Sequence, residues 1–196
     1  NNKLYNVAAA IQDGKLLGLV PKRWIPNYSE FYEGRYFNPG WEKTIDVSWD
    51  GYQVPMGMKL LFSCDNVENL VVGAEICEDL WVPQPPSITH AIAGANVIVN
   101  LSASDEITGK DSYRRNLVGG QSARLVCGYI YADAGEGESS TDLVFAAHNL
   151  IAENGTILAQ SKRFENEIVT ADLDIHRIRA ERRRMTTYPT TQEEYE

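Results

Sequence analysis

Short apolar runs parted by polar turns recur along the chain, and most are too short to be anything but strands. Residues 4–11 and 15–20 form two such runs around Gln12-Asp13-Gly14, where the Asp-Gly step predicts a tight hairpin. Residues 21–51 are rich in aromatics, Pro, Gly and Asn and hold no period, which predicts a long ordered loop ending on an alternating stretch at 44–49. Its aromatics are placed to line a pocket. Strands are predicted at 59–63 and 70–76, a helix at 86–93, and a strand at 96–101 whose Ile and Val run on as in a strand buried on both faces. Strand, helix and strand therefore alternate, as in an α/β fold.

The second half continues the pattern. A helix is predicted over 111–127 with Gly128 as its stop, then a strand at 129–132. After the turn-rich Gly135-Glu136-Gly137-Glu138-Ser139-Ser140, runs at 142–147 and 156–160 flank Glu153-Asn154-Gly155, a second hairpin signal. One more strand is predicted at 167–173. Asp174 is placed to cap a last helix through Arg184, and 188–196 reads as an exposed tail or the start of a linker. Neither repeats nor an internal boundary divide the chain, so 1–187 is read as one domain.

Composition narrows the class. At 43% hydrophobic and 23% charged residues over 196 positions, the chain can bury one sizeable core. A net charge of −9 argues against a nucleic-acid or anionic-membrane surface. Arg177, Arg179, Arg182, Arg183 and Arg184 make a local basic cluster, read as a solvated helix face or a subunit contact. No run approaches the roughly 20 apolar residues of a membrane span, and no basic-then-apolar leader opens the sequence, so the expected location is the cytosol. Cys64, Cys77 and Cys127 are odd in number, and neither they nor the scattered His90, His148 and His176 have metal-ligand spacing. No disulfide and no metal site is expected.

Candidate chemistry centres on Cys77, at the end of the apolar segment Val71-Val72-Gly73-Ala74-Glu75-Ile76, where an α/β fold displays a nucleophile. Glu75, Glu78 and Asp79 should oppose a thiolate there, so a working cysteine needs a cation from elsewhere. Lys22, directly after the run at 15–20, can supply one. Its ammonium would lower the thiol pKa and, with the backbone N–H after Cys77, stabilise an oxyanion, while a carboxylate carries the proton. Acyl transfer from an amide fits these parts. Taken singly each has a plainer reading, since a lone cysteine at a strand end is most often a small buried hydrophobe and a lone lysine is surface decoration. The acidic turn lacks the glycine-paced loop of a hard-cation site, and Gly135-Glu136-Gly137 carries acids that would repel phosphate.

With these residues in view, the chain resembles the nitrilase superfamily of carbon–nitrogen hydrolases, most closely the glutaminase domains of glutamine-dependent NAD synthetases. The resemblance rests on Leu19-Val20-Pro21-Lys22 with Pro26-Asn27-Tyr28-Ser29-Glu30-Phe31-Tyr32-Glu33, on Ala74-Glu75-Ile76-Cys77-Glu78-Asp79-Leu80-Trp81, on Asn100-Leu101-Ser102-Ala103-Ser104, and on the blocks from Tyr129 to Leu143. It implies a four-layer α-β-β-α sandwich, incomplete at its N-terminal edge, and a Glu-Lys-Cys triad in which Lys22 and Cys77 are lysine and nucleophile. Glu33 matches a second glutamate held against the lysine. Tyr28, Phe31, Glu78 and Ser104 match a glutamine pocket, with Glu78 at the α-ammonium, and Lys110 would meet the α-carboxylate or fix the pocket loop.

The resemblance also implies glutamine as substrate, a homo-oligomer, and a synthetase domain on the same polypeptide that uses ATP and Mg²⁺, with no cofactor in this domain. Its general-base glutamate lies ahead of the lysine, whereas the first glutamate here is Glu30. The chain is therefore expected to be part of a larger enzyme and incomplete by itself. Two alternatives stand beside this reading: a structural or oligomerisation fragment, and an amidase acting on another amide or N-carbamoyl compound.

Overall fold

The computed structural model describes residues 2–140 and 142–193. Its first half opens on the expected hairpin, β1 (Val7–Gln12) and β2 (Lys15–Pro21), turned by Asp13 and Gly14, both at positive φ. The residues 4–6 predicted to begin that strand lie outside it, with Leu4 making only an isolated bridge to Phe37. After the long loop comes a hairpin of β3 (Ile45–Trp49) and β4 (Tyr52–Met56). The sequence reading did not contain β4, because Pro55 breaks the pattern of a paired strand. These strands form a sheet in the order β1-β2-β4-β3.

The second sheet has six strands, β5 (Leu61–Ser63), β6 (Val71–Ile76), β7 (Val97–Ser102), β8 (Gly128–Asp133), β9 (Leu150–Glu153) and β10 (Thr156–Gln160), in the order β10-β9-β8-β7-β6-β5. Its centre, β6-β7-β8, is parallel, and the crossovers are α1 (Pro86–Ile92) and α2 (Lys110–Leu125). Pro86 starts α1 where a missing N–H costs nothing. The main core lies between these helices and the sheet, around Leu80, Ile98, Val118, Leu125, Tyr129 and Leu150. A smaller one, with Ala8, Val20, Ala74 and Ile76, joins the two sheets. The layers are thus helix, sheet, sheet, which are three of the four expected in the sandwich.

Four expectations are corrected. Helix α2 stops at Leu125 because Val126 takes the left-handed conformation (φ 46°), while Gly128 opens β8 in a space that a Cβ would share with Leu173 Cδ1, 2.7 Å away. Residues 142–147 are not the strand opposite 156–160: the hairpin at Asn154-Gly155 joins β9 to β10, and Phe145 makes only a bridge to Asp105. Residues 167–173 pair with no strand, and Ile168 is 93% exposed. The expected tail is helical as far as it is described, since α3 (Ile175–Arg184), capped by Asp174 as foreseen, is followed by α4 (Thr187–Glu193). Tyr188 of α4 is buried and donates to the carbonyls of Ala91 and Leu125. Residues 194–196 lie outside the described part.

The arginine cluster splits in the same way. Arg182 is buried and donates to the carbonyls of Ala95, Leu125 and Val126, closing the ends of α1 and α2, while Arg183 faces solvent. No described helix is long and apolar enough to cross a membrane.

Candidate active site

Two strand ends in facing sheets build the site. Lys22 follows β2 directly, and its side chain is only 1% exposed. A buried ammonium must be met by charge, and both oxygens of Glu33 meet it, at 2.8 and 2.9 Å. Glu33 opens the 3₁₀ turn Glu33–Arg35 within the long loop, which is how a residue 11 positions later returns to the lysine. The backbone here is tightly held: Lys22 N–H donates to Asn6 O and Gly40 N–H to Lys22 O. A Cβ at Gly40 would lie 3.0 Å from the Pro21 and Lys22 carbonyls, a tight contact with backbone that glycine avoids.

Cys77 begins the 3₁₀ turn Cys77–Leu80 at the end of β6, with φ 46°. A non-glycine residue held in this region at a strand end has its side chain turned out of the sheet, as nucleophile turns do. Its N–H donates to Asn100 Oδ1 at 3.0 Å. Lys22, Glu33 and Cys77 line one cavity of about 460 Å³, with Asn6, Ser102 and Asp133 on its walls.

Asp79 fastens the two strand ends together. Its carboxylate accepts the N–H groups of Arg23, Trp24 and Ile76, so the residues after the lysine and before the cysteine hang on one side chain. Burial pushes its carboxyl up to about 6 against the pull of those three donors. The acids read as opponents of the thiolate are therefore otherwise engaged: Asp79 on backbone, Glu75 in the core, and Glu78 on Tyr28. What holds the Cys77 thiol up is first burial and then Glu33, while Lys22, the Ala103 N–H and the Ser102 hydroxyl pull it down. Cys127 lacks such a setting; burial pushes its thiol up to about 12.

The expected pocket residues divide. Tyr28 donates to Glu78 Oε1 at 2.9 Å and stands edge-on to Phe31. Burial, then Glu78, pushes the Tyr28 hydroxyl up to about 12, and burial also raises the Glu78 carboxyl. Lys110 is ion-paired with Asp105, its ammonium 5.7 Å from the Phe31 ring centre and 5.3 Å from that of Trp81. Tyr28, Phe31, Glu78 and Lys110 thus form a cluster beside the cavity and do not line it. Ser104 is buried, with its N–H on Asp133 and its hydroxyl accepting from Arg114. Sequence reasoning missed Asp79 as a clamp, and missed Asn100 and Asp133 altogether; Asn100 lay in a quoted block, but nothing local marks an asparagine as the anchor of a residue 23 positions away.

The chain is 43% identical over 189 residues to the glutamine-dependent NAD(+) synthetase of Mycobacterium tuberculosis, covering 95% of this chain and 28% of that protein. The corresponding protein of Thermotoga maritima is 34% identical over 173 residues, 87% of this chain and 26% of its own. The chain therefore spans little more than a quarter of these curated relatives. Among solved structures, a glutamine-dependent NAD(+) synthetase from Cytophaga hutchinsonii superposes with a TM-score of 0.70 at 29% identity, over 81% of this chain and 25% of that one. A carbon-nitrogen hydrolase from Helicobacter pylori shares the fold at a TM-score of 0.70 and 20% identity, over 91% of this chain and 60% of its own. The carbon-nitrogen hydrolase profile matches residues 1–183, a span that holds the lysine, the cysteine and both sheets, and the chain belongs to that family.

Proposed function

We propose that this chain is the ammonia-releasing part of a glutamine-dependent NAD synthetase. The observation that carries the reading is the shared cavity of Cys77 and the buried Lys22–Glu33 pair. The Cys77 sulfur attacks the side-chain amide carbon of glutamine. A C–S bond forms, the C–N bond breaks, and ammonia leaves with a proton from a carboxylic acid. Water, deprotonated by the same carboxylate, then cleaves the thioester to glutamate and the free thiol. Lys22 offsets the thiolate charge and the developing oxyanion. Glu33, with both oxygens on Lys22, holds the lysine and is not the proton carrier, so that role falls to another carboxylate of the protein. Glu78, beside the cavity, meets the α-ammonium. ATP and Mg²⁺ serve, on this reading, the synthetase domain that consumes the ammonia to amidate deamido-NAD.

The test is to treat the protein that carries this chain with a glutamine-like chloroketone and map the adduct by mass spectrometry. Labelling at Cys77, with loss of glutamine-driven but not ammonia-driven synthesis, is expected. Labelling mainly at Cys64 or Cys127 would overturn the assignment.

A further inference from the structure

Outside the cavity, a buried run of polar groups leads from the helix layer to the nucleophile. Glu75, Asn100 and Tyr129 sit on neighbouring strands β6, β7 and β8, with Glu75 opposite Asn100 in the parallel register. All three are at most 1% exposed. Glu75 Oε2 accepts the Ser87 N–H of α1 at 2.8 Å, and Oε1 accepts the Tyr129 hydroxyl. The Tyr129 oxygen accepts from Asn100 Nδ2 at 3.2 Å. Asn100 Oδ1 accepts both the Cys77 N–H at 3.0 Å and the Ser102 hydroxyl at 2.7 Å. Ser87 Oγ in turn accepts from Gln121 of α2.

The donor inventory gives this run a direction. A tyrosine hydroxyl has one proton. While Glu75 takes it, the hydroxyl meets Asn100 as an acceptor, so the amide must turn its NH₂ to Tyr129 and its oxygen to Cys77. If the tyrosine donated to Asn100 instead, the amide would flip and set its NH₂ against the Cys77 N–H, donor facing donor. Cys77 is in a left-handed conformation that persists only where its surroundings hold it, and Ser102 lines the same cavity.

We propose that Glu75 is a positioning residue for the nucleophile: through Tyr129 and Asn100 its carboxylate sets the hydrogen-bond direction that holds the Cys77 turn and the Ser102 hydroxyl in place. The proposal rests on the reading of Cys77 as nucleophile. Glu75 itself faces the helices and not the cavity. A glutamine at 75 separates this role from a merely structural one. Its single amide oxygen must go to the Ser87 N–H, which can only donate, and its NH₂ then faces Tyr129 and reverses the run.

The experiment measures alkylation of Cys77 by chloroacetamide, mapped by mass spectrometry, in the protein that carries this chain, at about pH 8.5, where a carboxyl pushed by burial to about 7 is ionised. Glu75→Gln is expected to slow labelling about tenfold or more, and Tyr129→Phe about threefold or less, since it removes the relay without reversing it. The double variant Glu75→Gln with Tyr129→Phe should return to the Tyr129→Phe rate, because the reversal needs the hydroxyl. Wild-type reactivity in Glu75→Gln would overturn the proposal, as would a double variant no faster than Glu75→Gln. Should Glu75→Gln fail to fold, Glu75→Met with Tyr129→Phe removes both buried partners together. A rate equal to that of Tyr129→Phe supports the relay, and a further loss of about tenfold overturns it. Wild-type labelling away from Cys77 would sink the nucleophile assignment itself, and this proposal with it.

Discussion

A lysine that retains 1% of its exposure shows how the meaning of a residue depends on its partners. Lys22 looks like surface decoration in isolation; enclosed by Glu33 and sharing a cavity with Cys77, it is a fixed positive charge. Replacing it with alanine removes the cation that pulls the Cys77 thiol down and leaves burial and Glu33 to hold it up, so the pH profile of Cys77 alkylation should move to higher pH. Glutamine hydrolysis should fall by roughly 10²- to 10³-fold, as when one oxyanion donor is lost, with synthesis from free ammonia retained. An unmoved pH profile would contradict the assignment. Glu78 invites a different measurement. Glu78→Gln removes a charged acceptor, and the preference for glutamine over its des-amino analogue should shrink by about 1.5–3 kcal/mol in kcat/KM if the carboxylate meets the α-ammonium. A constant ratio would show that Glu78 serves only Tyr28. Motif blocks made Lys22, Glu33 and Cys77 legible in the sequence. Asp79 was legible only as a charge, because its partners are backbone N–H groups, those of Arg23 and Trp24 more than fifty positions away, and backbone donors leave no mark on residue identity.

At the scale of elements, what was legible depended on whether the signal was local. Asp13-Gly14 and Asn154-Gly155 fixed their hairpins because the turn itself demands positive φ, which these residue types tolerate. The apolar runs at 142–147 and 167–173 carry the composition of strands, yet strand formation needs a free sheet edge in register, and β9 and β10 occupy the edge beside β8. Composition likewise treated five arginines alike, as a solvated helix face or a subunit contact, whereas packing singles out Arg182. Arg182→Met should cost about 1–3 kcal/mol in urea unfolding, since three carbonyls at the ends of α1 and α2 lose their donor. The neighbouring Arg183→Met, at an exposed position, should stay within about 0.5 kcal/mol. Similar costs for the two would mean that the carbonyls find other donors and that the cluster is, after all, a solvated face.

For the molecule as a whole, the site imposes a pH dependence on the fold. Glu75, Asp79 and Asp133 are carboxylic acids carried inside, and burial pushes them up to about 7, 6 and 6. The unfolded chain releases these protons at lower pH than the folded one does. Their contribution to stability is therefore complete below the unfolded values near 4 and is lost as pH rises through 6 to 7. His90 and His148 run the other way: burial lowers both, so their share is lost as pH falls below the unfolded value near 6.5. Because these opposed contributions overlap, an overall melting curve cannot isolate either, but a difference between variants can. Glu75→Gln keeps the size of the side chain and removes its titration. At pH 5 the wild type holds a neutral Glu75 whose carboxyl, like the variant's amide, offers one carbonyl to the Ser87 N–H and one donor towards Tyr129, so the two should melt close together. Towards pH 8 the wild type alone acquires a buried charge, so in the melting temperature of this domain it should fall below the variant. That loss is the stability given up for the ionised carboxylate that directs Tyr129, a trade expected where a site needs a group the fold would rather neutralise. A difference that stays constant from pH 5 to 8, or moves in favour of the wild type, would show that Glu75 is ionised throughout and is held by stronger donors than Tyr129 and Ser87.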